Sequence, residues 1–166
     1  SPAMPAATDP VMPDIGQKAP AFHLADQSGT KHRLSQYAGR WVVLYFYPKD
    51  DTPGCTKQAC QFRDAEADVL QKNAVVLGVS PQDVASKAKF ADKHELNFPL
   101  LADDGSKVCE KYGVWQEKSM YGRKYMGVAR TTFLIDPKGK IAQRWDKVKV
   151  PGHAEAVLKA IDERNG

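Results

Sequence analysis

The chain has 166 residues, and its 24 basic and 20 acidic side chains leave a formal net charge of +4, too small to argue for nucleic acid by itself. Hydrophobic residues make up 42% and charged residues 27%, which fits one soluble globular domain with a real core. No stretch approaches the roughly 18 consecutive apolar residues of a membrane span, and the three cysteines and four scattered histidines show neither a disulfide framework nor metal-ligand spacing.

Residues 1–14 are rich in Ala and Pro without periodicity and are expected to form a loosely attached tail before a single domain over residues 15–166. A cytoplasmic location is favoured, and a periplasmic one follows if the start at Ser1 reflects removal of a signal peptide. Residues 21–24 and 31–34 flank the turn-rich Asp26-Gln27-Ser28-Gly29 and read as a hairpin. Residues 34–39 read as a short helical turn.

The most informative stretch follows. Residues 41–47 (WVVLYFY) are an unbroken apolar run, as expected of a strand buried on both faces. Pro48 has no N–H to give the ladder and ends it. A polar, breaker-rich loop leads through Thr52 to Cys55, where a helix-favouring run begins. A cysteine could be a small buried hydrophobe. At the first turn of a helix, however, its thiolate is stabilised by unpaired N–H groups and by the macrodipole. Cys60 is five residues on. On one ideal helix the two Cα atoms are about 8–9 Å apart, beyond the ~7 Å reach of a disulfide, so a bond between them requires this turn to unwind.

Residues 74–80 (AVVLGVS) read as a second buried strand, parallel to the first in a βαβ unit. Ser80 is expected to cap a helix with Pro81 at its first position. A short extended segment at 98–101, a turn at Asp103-Asp104-Gly105 and a short helix over 106–112 follow. Cys109, in that helix, reads as a half-buried apolar residue. Residues 114–130 interleave aromatic and basic side chains, a pattern that can serve single-stranded nucleic acid, but a surface loop feeding a strand is the favoured reading. A strand at 129–136, a turn, a partner strand at 141–145 and a closing amphipathic helix over 153–162 complete the chain.

Pro48, Thr52 and Cys55 fit the Pro-x-x-x-Thr-x-x-Cys signature of the peroxiredoxins, and YFYPKDDTPGCTKQAC resembles their Q, or bacterioferritin comigratory, branch. GQKAPAFHL, GVWQEKSMYGRKYMG and KVKVPGHAEAVL are also similar to that branch, so the resemblance runs from about Ile15 onward. It implies an α/β thioredoxin-like fold, with a central mixed β-sheet flanked by helices and an N-terminal β-hairpin. It implies a thiol-dependent peroxidase acting on hydrogen peroxide and organic hydroperoxides. Cys55 would be the peroxidatic thiol and Cys60 the resolving one, with the disulfide recycled by thioredoxin or a similar dithiol. Thr52 would accept from the peroxide or position the sulfur, and Pro48 would shield the sulfenate. Arg130, immediately before the strand in ARTTFLID, fits the family's active-site arginine, although an arginine there is also commonly a snorkelling or ion-paired residue. No metal or organic cofactor is needed, and no nucleic acid or membrane partner is expected. A monomer is expected.

Two other classes compete. A thioredoxin-like disulfide oxidoreductase would need C-x-x-C, which Cys55-Thr56-Lys57-Gln58 is not, and a cis-proline before the strand at Thr132, where Ala129-Arg130-Thr131 has no proline. A non-catalytic, chaperone-like binding module would bind its partner regardless of Cys55.

Overall fold

The computed structural model describes residues 10–165. Residues 1–9 of the expected tail therefore lie outside the described residues. Residues 11–14, which fall within that tail, lie against the domain. The Pro13 carbonyl accepts from Arg144 Nη1 at 3.1 Å, and Met12 packs on the core.

The expected strands pair as one seven-stranded sheet. In chain order they are β1 (His23–Ala25), β2 (Lys31–Arg33), β3 (Trp41–Phe46), β4 (Ala74–Ser80), β5 (Leu100–Ala102), β8 (Thr131–Ile135) and β9 (Ile141–Trp145). Their spatial order is β2-β1-β5-β4-β3-β8-β9. β3 runs parallel to β4, and β4 to β5, while β8 lies antiparallel to β3 and β9 to β8. The sheet is thus mixed, with β1 and β2 as the expected hairpin.

β3 is the spine, and its alternating side chains divide the core in two. Trp41, Val43, Tyr45 and Tyr47 face helices α1 (Pro53–Asp64), α2 (Glu66–Gln71), α3 (Val84–His94) and α5 (His153–Asn165). Val42, Leu44 and Phe46 face α4 (Lys107–Lys111) and the Ala19–Phe22 approach to β1. Burial on both faces explains why β3 carries no polar residue to mark an outside.

Two local expectations are corrected. Ser80 does not cap a helix. It is the last residue of β4, and its hydroxyl is engaged by Gln82 and Lys87. The cap of α3 is Asp83, whose Oδ1 accepts from the Ser86 N–H at 2.9 Å. Residues 114–130 are not a loop but a separate two-stranded hairpin, β6 (Trp115–Met120) and β7 (Arg123–Val128), turned at Tyr121 and Gly122, both at positive φ. Trp41 starts β3 at the end away from the loop, roughly 20 Å along the strand from Tyr47, with its indole N–H on Asn165.

One buried ion pair fixes the segment after β3. Lys87 Nζ, on α3, lies 3.0 Å from each carboxylate oxygen of Asp50, and its side chain is fully buried. Tyr47 and Ser86 hydroxyls donate to the same carboxylate at 2.6 and 2.7 Å. Burial pulls the Lys87 ammonium down from its ordinary range and Asp50 opposes that shift. Removing one partner strands a buried charge. Lys87→Met should therefore cost about 3–5 kcal/mol in urea unfolding, and a loss below about 1 kcal/mol, the size of an exposed pair, would contradict the buried-pair reading.

Candidate active site

The antiparallel β3–β8 register assembles the site. Phe46 faces Thr131, so the end of β3 and the start of β8 meet at one edge of the sheet. The loop that leaves β3 carries Pro48, Thr52 and Cys55 there, and Arg130 stands one residue before the paired Thr131. Arg130, 75 positions from Cys55 in sequence, is thereby brought onto it by strand pairing.

Cys55 is the third residue of α1, after Pro53 and Gly54, with Thr52 as N-cap. Pro53 suits that place because the first helical N–H would be unpaired anyway. Thr56 is the first to donate within the helix, to the Thr52 carbonyl at 2.8 Å. The N–H groups of Gly54 and Cys55 precede it and have no intrahelical acceptor. They and the helix dipole favour negative charge at this point. Cys55 is only 2% exposed, and Arg130 Nη2 donates to its Sγ at 3.4 Å. A Cβ on Gly54 would stand 3.3 Å from Arg130 Nη2, so the glycine leaves room for the guanidinium.

The Thr52 hydroxyl donates to the Lys49 carbonyl at 2.8 Å, which commits its proton and leaves its lone pairs to accept. Pro48 is half-buried, and its carbonyl accepts from Gln82 Nε2 at 3.2 Å. Cys60 lies on the same unbroken α1, half-buried, and all three cysteines are free thiols. Pro48, Thr52, Cys55 and Arg130 are thus gathered at one sheet edge, while Cys60 is displaced from Cys55 along and around the helix.

The AhpC/TSA family model matches residues 15–144. Peroxiredoxin Bcp of Bacillus subtilis (strain 168) is 46% identical over 150 residues, covering 90% of this chain and 96% of its own. The chain is a peroxiredoxin of the AhpC/TSA family. Solved structures agree on the thioredoxin-like fold. A cysteine-to-serine mutant of Xylella fastidiosa PrxQ superposes with a TM-score of 0.89 at 38% identity, covering 94% of this chain and 99% of its own. The bacterioferritin comigratory protein of Xanthomonas campestris, solved as trapped intermediate and ligand complexes bearing on alkyl peroxide reduction, gives a TM-score of 0.86 at 39% identity, covering 92% and 100%. This peroxiredoxin is accordingly a thiol-dependent peroxidase of the Q type.

The peroxiredoxin site also contains residues not singled out from the sequence. Gln58 Oε1 accepts from Arg130 Nη1 at 2.6 Å, which aims the guanidinium at the sulfur. Its signal was its place three residues after Cys55, hence on the same helix face. Lys118, on β6, lies in the same field. Burial and then the Arg130 charge hold its ammonium below the usual range. The Tyr45 hydroxyl is fully buried without a hydrogen-bond partner among the described residues, and burial followed by the charge of Cys55 pushes it well above its ordinary value. Cys109 is fully buried rather than half-buried. Its N–H donates to Asp103 at 2.7 Å, and burial pushes its thiol far upward, which leaves it unreactive in the folded protein.

His153 backs the site from α5. Its Nε2 is 2.8 Å from Thr132 Oγ1, and its ring meets Trp145 edge-on at 5.6 Å. Trp145 is therefore a tryptophan placed to sense the site. Burial, then the Arg130 charge, lowers His153 from 6.5 to about 4. The unfolded chain thus binds the proton more readily. The stabilisation is complete above about 6.5 and is lost as pH falls towards about 4. Melting temperature should drop across that window, and His153→Gln should flatten the drop. An unchanged slope in the variant would contradict it.

Proposed function

We propose that Cys55 is the peroxidatic sulfur and Cys60 its resolving partner. The observation that supports this reading best is the 3.4 Å contact from Arg130 to a sulfur seated in the first turn of α1. The guanidinium and the Gly54 and Cys55 amides favour the thiolate and the negative charge that builds on the peroxide oxygens. The substrate O–H donates to Thr52 Oγ1, whose own proton is already committed to Lys49. The sulfur attacks the terminal oxygen, the O–O bond breaks, and water or an alcohol leaves after taking up a proton. Cys55 is left as sulfenic acid. Pro48 closes one side of the sulfenate against water and bulk oxidant.

The Cys60 thiol then attacks the sulfenate sulfur. A Cys55–Cys60 disulfide forms and water is lost. Because both residues lie on α1, its N-terminal turns unwind for this step. Thioredoxin or a similar dithiol reduces the disulfide by exchange, which restores both thiols and oxidises the reductant. Organic hydroperoxides join hydrogen peroxide as substrates, in line with the alkyl peroxide reduction studied in the Xanthomonas campestris relative. The protein works as a monomer, since the chain holds both cysteines of the cycle.

Cys55→Ser should leave less than about 1% of peroxide consumption, because no other thiol here stands in an activating environment. Cys60→Ser should keep the first oxidation and block thioredoxin-linked turnover. Stopped-flow fluorescence and peptide mass spectrometry read the two steps. Oxidised wild type that pairs Cys55 with Cys109 would contradict the resolving role of Cys60.

A further inference from the structure

Helix α3 touches the chain on both sides of the cysteine turn, and one residue does much of it. His94, the last residue of α3, places Nε2 at 2.8 Å from Asp51 Oδ1, before the turn. The backbone carbonyl of His94 accepts from Arg63 Nη1 at 2.8 Å, after the turn. Lys93 Nζ adds a second contact, 2.8 Å from Asp51 Oδ2. Asn97, just beyond α3, donates to the Arg63 carbonyl at 3.1 Å. Asp51 sits at φ 57, in the left-handed region that Asp and Asn tolerate better than other residues with a Cβ. One residue earlier, the buried Asp50–Lys87 pair ties the same loop to the start of α3.

Among the described residues no hydrogen bond joins α3 to residues 52–62, which are gripped by such contacts only at the two ends. Cys55 and Cys60 both lie inside. We propose that Asp51 and His94 form a brace that confines opening to residues 52–62, and that the strength of this brace sets how the Cys55 sulfenic acid divides between two fates. In one, Cys60 displaces water and a disulfide forms. In the other, a second hydroperoxide transfers an oxygen atom to the sulfenic sulfur, which becomes sulfinic acid as the hydroperoxide is reduced to water or an alcohol. Opening is required for the first fate and not for the second. A weaker brace opens the turn more often and diverts sulfenic acid to the disulfide. Asp51 and His94 are positioning residues in this scheme, since neither touches the sulfur. The inference rests on Cys60 being the resolving thiol.

The test is a hydrogen peroxide titration of the full chain during thioredoxin-linked turnover, with sulfinic acid and disulfide counted by mass spectrometry. Asp51→Asn keeps a side chain that tolerates positive φ and removes the charge. It should raise the peroxide dose that gives half-sulfinic protein by about two- to fivefold, the scale on which exposed ion pairs act. His94→Phe should shift it the same way, and the double variant should go little further than Asp51→Asn alone, because both weaken the Asp51–His94 contact. Lys72→Met, which breaks an exposed pair with Asp162 away from the turn, should leave the dose where it is. Unchanged doses in both single variants, with Cys60→Ser still abolishing the disulfide, would overturn the brace and spare the resolving role. A disulfide that persists in Cys60→Ser would overturn the resolving role and the brace with it.

Discussion

The site depends on the antiparallel pairing of β3 with β8. That register sets the end of one strand beside the start of the other, so a cysteine on the loop after β3 meets an arginine just before β8. Neither residue could be held there by local structure. β3 is buried on both faces and locked to β4 on its other side, so the register cannot slip without turning its whole apolar set over. The reacting groups are thus hung on the most rigid part of the molecule, and their own segment is left short and polar.

The same arrangement contains a conflict that the chemistry exploits. A folded first turn in α1 supplies the amides and dipole that favour an anionic sulfur, and it also keeps Cys60 beyond disulfide reach. On the proposed roles of Cys55 and Cys60, one conformation serves peroxide and the other serves resolution. The elements around α1 suit that division. The loop before it is tied down by a buried ion pair, while the contacts of Asp51 and Arg63 that bound the turn lie nearer the surface. Deep pairs hold what must stay, and shallow pairs border what must move.

Much of this was legible in the sequence because it was written in apolar runs and breakers. β3 and β4 are continuous apolar segments, and Pro48 and Pro53 bracket the loop between strand and helix. What escaped reading was decided by tertiary partners. Ser80 has the chemistry of a cap, but a buried lysine and Gln82 compete for its hydroxyl, so Asp83 takes the role. The β6–β7 hairpin has no buried residue in β6 and one in β7 and pairs with no other strand, so it lacks the apolar alternation that marks a half-buried strand. Nothing in the local sequence marks Lys87 for burial, which its pairing with Asp50 explains. Gln58 read as a helix former until Arg130 arrived beside it from 72 positions along the chain.

The central claim is that the helical turn presenting Cys55 must melt before Cys60 can reach it. Amide hydrogen exchange followed by mass spectrometry, compared between reduced and peroxide-oxidised protein, tests this most directly. Residues 56–62 should be protected in the reduced state and lose protection on oxidation, while β3 and α3 keep theirs. An oxidised protein that carries the Cys55–Cys60 bond with α1 still fully protected would contradict it.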